Sequence, residues 1–199
     1  MGTYAESAFH ENTSERSVPS ANRRLALVAV FSALVAVCTS IIAIPLPAPL
    51  YEITLAPAIY LSLAVLVDKW DAFAATAIGG FVGELFNIMT RGGSPIYPFG
   101  MIWARGPEVL IIAWAAKRGR RALVLSMVVA TVYETVAFLV PDYLFYQYGL
   151  FEYTIPAGYT ALGLALTDLG TLVDLACIPV ALAIIAGAGP TFRRLGYRP

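Results

Sequence analysis

Long apolar blocks separated by short polar breaks dominate the chain. They occupy Leu25–Ile44, Ile53–Val67, Ala72–Met89, Phe99–Ala116, Ala122–Val140 and Tyr159–Ile185. A helix needs about 20 apolar residues to cross a bilayer, so the pattern predicts an all-α integral membrane protein of six transmembrane helices forming one domain over residues 23–190. The second block is short and opens beside Pro57, which suits the first turn of a helix. Pro107 and Pro179 fall inside blocks and are expected to kink them. Residues 1–22 are rich in Ser, Thr, Asn and Glu and poor in large apolar side chains, so they read as a disordered tail, and residues 191–199 as a short basic one. The breaks are short except Pro141–Pro156, where Tyr143, Phe145, Tyr146, Tyr148, Phe151 and Tyr153 suggest an interfacial aromatic belt.

Composition sharpens this picture. Of 199 residues, 59% are hydrophobic and 13% charged, and the mean hydropathy of +0.73 excludes an ordinary soluble domain. Six spans leave no room for a separate catalytic domain. Thirteen Lys and Arg balance thirteen Asp and Glu, without a basic block of the kind that nucleic acid requires. Eleven of the cations fall in the termini and in the breaks after the second and fourth blocks, against Arg91 alone on the other side and Arg105 within a block. Positive charge marks the cytoplasmic side, so both termini are expected there, in a multi-pass protein of the cell membrane. Cys38 and Cys177 lie in apolar runs and read as small buried hydrophobes.

With that orientation, Glu84, Arg105, Glu134 and Asp168 fall in the outer half of the bilayer with Asn87 nearby, while Glu108 lies near the middle and Asp174 deeper. A charge at the bilayer centre costs on the order of 2.5 to 3.5 kcal/mol, so such groups require partners, protonation or a wet cavity. Arg105 and Glu108 are three residues apart and could pair merely to join two spans. Five acids facing one arginine are harder to explain by packing, and they point to an outward-facing polar pocket. Trp103, Tyr133, Tyr143 and Tyr146 are near enough in sequence to supply aromatic walls. The excess of acid disfavours a dianionic ligand and favours a neutral or cationic nitrogen heterocycle, with a thiamine-like compound or its pyrimidine precursor as the specific expectation.

The chain has no GxxxxGK[ST] loop, GxSxG elbow, HExxH pair or CxxC motif, and its one histidine, His10, lies in the tail. No ATP hydrolysis by the chain itself, no metal and no cofactor are therefore expected. On the first block, Ala26, Ala29, Ala33 and Ala36 make one smooth face, and Gly79, Gly80 and Gly83 mark close packing on the third.

The basic lead into RRLALVAVFSALVAV, the proline-rich IPLPAPLYEITLAPAIYL and the following DKWDAFAATAIGGFVGELFN resemble the substrate-binding S component of energy-coupling factor (ECF) vitamin transporters. The resemblance implies a membrane subunit that binds a vitamin or its precursor outside and joins a transmembrane coupling protein and two cytoplasmic ATPases. It maps the family's AxxxA docking pattern onto Ala29 and Ala33, and its pocket-closing loops onto Pro45–Glu52 and Thr90–Pro98. The family's cobalt and nickel members carry a histidine just after the first methionine, whereas this chain begins Met1-Gly2-Thr3, which argues against metal uptake. The competing readings are a stand-alone secondary transporter whose acids carry protons, and a membrane scaffold without a ligand.

Overall fold

A computed structural model describes residues 20–45, 52–91 and 94–197 of the chain. The expected tail over 1–22 and the outer loop after Pro45 fall largely outside them.

The first helix, α1 (Ala21–Ser40), opens at Ser20, whose hydroxyl accepts the Arg23 backbone N–H at 3.4 Å and satisfies a donor the helix cannot. It stops at Ser40, earlier than the apolar block does. A residue preceding proline is driven out of the helical region, and Ile44-Pro45 joins β1 (Ala43–Pro45), paired antiparallel with β2 (Glu52–Thr54) in the register Ala43↔Thr54 and Pro45↔Glu52. The rest of the second block forms α2 (Ala56–Leu66), with Pro57 in its first turn. Its 11 residues rise only about 16 Å, roughly half a hydrocarbon core.

After α3 (Lys69–Arg91), the fourth block is divided into α4 (Tyr97–Trp103) and α5 (Arg105–Ala116). The break at Ala104 lies just ahead of Pro107. The fifth helix of the pattern, α6 (Arg120–Tyr148), does not stop at Val140 but runs 29 residues, through Pro141, to a left-handed Gly149. Half of the expected long outer loop is therefore helix. The last block divides into α7 (Ala161–Ala165), a 3-10 segment (Leu166–Cys177) and α8 (Ile178–Arg194), with Pro179 in the first turn of α8. Among the described residues, four stretches are long and apolar enough to cross a membrane: Ala21–Ser40, Lys69–Arg91, Arg120–Tyr148 and Ala161–Arg194. The other two blocks are the short α2 and the divided α4–α5.

Glycine explains how α1 lies on α3. A Cβ built on Gly79 would stand 2.5 Å from the Ser32 carbonyl oxygen, and one on Gly83 would stand 2.7 Å from the Thr39 Cβ. Only hydrogen side chains permit that approach. The face of α1 turned to α3 is buried at Ser32, Val35 and Thr39, whereas Ala26, Ala29 and Ala33 are exposed and Ala36 half-buried. At one end, Arg24 grips Asp71 of α3 through two hydrogen bonds of 2.8 and 2.9 Å, and Phe192 of α8 meets Phe31 of α1 at 6.1 Å. The expected basic tail is in part structured there, since α8 reaches Arg194 and Tyr197 packs on Phe192.

Candidate functional site

Four elements bring their polar side chains together in the interior: Tyr60 from α2, Arg105 and Glu108 from α5, Glu134 from α6 and Asp174 from the 3-10 segment. Tyr60, Glu108 and Glu134 have no exposed surface, and Arg105 and Asp174 are also buried. The break at Ala104 puts Arg105 and Glu108 in the first turn of α5, so both side chains enter the bundle at the level of Glu134. Arg105 Nε donates to Glu134 Oε1 at 2.7 Å, and the Tyr60 hydroxyl lies 3.3 Å from Glu134 Oε2 and 3.4 Å from Asp174 Oδ2. The arginine also stands over the Tyr60 ring, 5.5 Å from its centroid. Arg105 thus pairs across to α6 and not with Glu108 on its own helix. Among the described residues, neither Glu108 oxygen has a hydrogen-bond donor and Arg105 Nη1 has no acceptor, and the Glu108 carboxyl adjoins that of Glu134.

The same row of side chains continues toward the other end of α6. In a 3-10 helix, residues three apart eclipse, so Asp168, Thr171, Asp174 and Cys177 stack along one side of the segment. An α-helix would rotate each successive member of that row away. Thr171 and Thr135 of α6 share a hydrogen bond of 2.7 Å, and one 3-10 turn from Thr171 and about two α-helical turns from Thr135, Asp168 and Asp142 are neighbours, only 1% and 3% exposed. The Tyr153 hydroxyl donates to Asp142 Oδ1 at 3.2 Å, and Tyr153 joins Phe145 and Tyr146 in an aromatic cluster.

Other candidates are placed elsewhere. On α3, buried Asn87 donates to the Thr39 carbonyl at 3.5 Å and Arg91 to the Ser40 carbonyl at 3.2 Å, so both serve the C-terminal carbonyls that α1 leaves unpaired. Glu84, half-buried one turn earlier, shares their helix. Trp103 and Tyr133 adjoin: the indole donates to the Ala137 carbonyl at 3.1 Å and the Tyr133 hydroxyl to the Trp103 carbonyl at 2.8 Å. Tyr143 faces outward and is 36% exposed.

The family of ECF-type riboflavin transporter S components matches residues 20–186. The chain belongs to that family. This S component is also similar in fold to a solved structure described as the S component of a bacterial ECF transporter, at 21% identity, 89% of this chain, 97% of that chain and a TM-score of 0.58. Among curated proteins, none matches. The S component is therefore a multi-pass membrane protein and the substrate-binding subunit of an ECF transporter. The family does not favour the stand-alone proton-coupled reading, and the thiamine-like expectation gives way to a riboflavin-type family. The reason for that miss is physical: an excess of buried acid constrains a ligand's charge, while it does not distinguish one nitrogen heterocycle from another.

Of the residues that the pattern of charges in apolar blocks singles out in this S component, Arg105, Glu108 and Glu134 come together, and Asp168 lies beside Asp142. Asp174, which its calculated depth set apart from them, shares Tyr60 with Glu134. Tyr60 and Asp142 escaped sequence reasoning. A tyrosine in the middle of a short apolar run needs a partner for its hydroxyl, which was the available signal. Asp142 lies in Pro141–Pro156, the stretch whose sequence reads as a connection between blocks.

Proposed function

We propose that this S component captures a flavin of the riboflavin class from the outer side of the membrane and holds its heterocycle among α2, α5, α6 and the 3-10 segment. The observation that carries the assignment is that one buried cluster holds, among the described residues, both a Glu108 carboxylate without a donor and an Arg105 Nη1 without an acceptor. A flavin's pyrimidine ring presents an N–H donor between two carbonyl acceptors, which complements a carboxylate beside a guanidinium. Glu108 accepts from the ring N–H, Arg105 donates to a ring carbonyl, and Glu134, held by Tyr60, keeps Arg105 in place. The Tyr60 ring already lies against Arg105, and Trp103 with Tyr133 supplies a further aromatic wall. Glu84 and Asn87 shape the outer rim beside α1, and Tyr143 and Tyr146 the far end of α6. Riboflavin is uncharged, in keeping with a site that already carries more acid than base.

Transport follows from assembly. The six apolar segments, including the short α2 and the broken α4–α5, cross the membrane with both termini cytoplasmic. The exposed alanine face of α1 docks a transmembrane coupling protein, and two cytoplasmic ATPases hydrolyse the ATP, so the chain is not itself an enzyme. The test is titration of the full-length protein, purified in detergent, with riboflavin, following quenching of flavin fluorescence. Saturable binding is expected, and Glu108→Gln should weaken it by about one to two decades. Saturable binding of thiamine with none of riboflavin would overturn the assignment.

A further inference from the structure

The outer end of the polar row holds a feature that the ring site does not use. Among the described residues, both oxygens of Asp168 and Oδ2 of Asp142 are buried without a hydrogen-bond donor. The Tyr153 hydroxyl donates to the remaining oxygen, Asp142 Oδ1. Three buried carboxylate oxygens without a donor represent a deficit that a ligand rich in O–H groups relieves. The spacing of this deficit from the ring site is set by two elements independently. Along α6, Glu134 and Asp142 are separated by about 12 Å at about 1.5 Å per residue. Along the 3-10 segment, Asp174 and Asp168 are separated by about 12 Å at about 2.0 Å per residue. At each end of the row one acid of α6 therefore stands opposite one acid of the 3-10 segment, with the Thr135–Thr171 hydrogen bond on the stretch between them.

We infer that Asp142 and Asp168 form a polyol subsite that accepts hydrogen bonds from the hydroxylated arm of the substrate while its heterocycle occupies the Arg105–Glu108 site. This rests on the flavin assignment and adds a second, separable contact to it. A carboxylate accepts from two vicinal hydroxyls at once, whereas an alkyl arm would leave all three oxygens without donors. Specificity then comes from the penalty on the wrong ligand as much as from attraction to the right one.

The test compares two ligands on three proteins, all full-length in the same detergent: riboflavin and lumiflavin, which keeps the ring and replaces the ribityl arm with a methyl group, on wild type, Asp168→Asn and Asp142→Asn. Riboflavin binding should weaken by about tenfold or more in each variant, with lumiflavin changing less than about twofold. The retained lumiflavin affinity shows that the variants are folded. An equal loss for both ligands would make the pair a support of the fold and overturn the subsite, and so would no loss for either, the result expected of two acids that merely share a proton. Riboflavin binding that requires added sodium or calcium in wild type but not in Asp168→Asn would assign the pair to a cation instead. Should wild type bind neither flavin, the functional assignment itself fails and the subsite with it. Binding of both flavins with unchanged ratios in the variants overturns the subsite alone.

Discussion

The Tyr60 hydroxyl and the Arg105 guanidinium together hold the interior cluster of this protein. Tyr60 stands between Glu134 and Asp174, acids from two different elements, while its ring lies beneath the guanidinium that pairs with Glu134. Removing the oxygen leaves the carboxylates in place and takes away their shared donor. Tyr60→Phe should therefore lower thermal stability by about 1 to 3 kcal/mol, the cost of a buried acceptor left unpaired, as read from melting of the purified protein. A melting temperature equal to wild type would show that the carboxylates find other donors. At this scale the sequence was informative where a charge interrupts an apolar run, because the bilayer makes such a residue expensive whatever its surroundings. Arg105, Glu108 and Glu134 were legible for that reason. The pairing was not: Arg105 reaches Glu134, 29 residues away, instead of Glu108 three residues away, and only the helix break at Ala104 decides between them.

Element boundaries depended on groups that no hydropathy window senses. Proline at position 141 has no N–H, so the Ala137 carbonyl loses its usual helical donor, and the Trp103 indole from α4 fills the vacancy at 3.1 Å. This is how α6 continues through a proline that reads as the start of a loop. Trp103→Phe should cost about 1 to 2 kcal/mol in the native background and clearly less in Pro141→Ala, where the new backbone N–H serves Ala137; equal costs in both backgrounds, measured by melting, would separate the indole from the proline. The α1–α3 contact gives a second test at this scale. Gly79→Ala drives a methyl group against the Ser32 carbonyl oxygen and the Val35 Cβ, which are backbone and branch atoms that cannot swing aside. It should cost about 1 to 3 kcal/mol, and an unchanged melting temperature would mean that the helices separate freely. That the glycines pack internally was legible, since small residues on a membrane helix permit close approach. That α1 gives way to a strand pair at β1–β2 was not, because isoleucine-rich sequence before a proline is equally apolar as helix or strand.

For the molecule as a whole, the proposed orientation rests on the basic helix ends and the proposed docking on the two unlike faces of α1. Arg24, Lys69 and Arg118 belong to the end where Arg24 holds α3 through Asp71 and where Lys69 and Arg118 lie against Trp70 and Trp114, a pairing of cation and aromatic suited to a membrane surface. A cysteine at position 120 should be labelled from the cytoplasmic side only; labelling from outside would invert the topology. The face of α1 that meets α3 is buried, while Ala26, Ala29 and Ala33 look outward with Leu25 and Val30, 70% and 65% exposed. Within a bilayer, exposed leucine and valine need no partner, since lipid is as apolar as they are, but a smooth alanine strip lets a second helix approach closely. If that strip receives the coupling protein, its contribution is confined to assembly, because Ala33 lies on the side of α1 away from α3 and from the Arg105–Glu134 cluster. Ala33→Leu should then leave riboflavin affinity within about twofold of wild type while abolishing copurification of the coupling protein and uptake into cells. Gly79→Ala is the contrasting variant, expected to lower stability through the internal face. Loss of ligand binding and of melting temperature in Ala33→Leu would place the strip among the protein's own contacts, and uptake at the wild-type rate would move the docking surface to another helix.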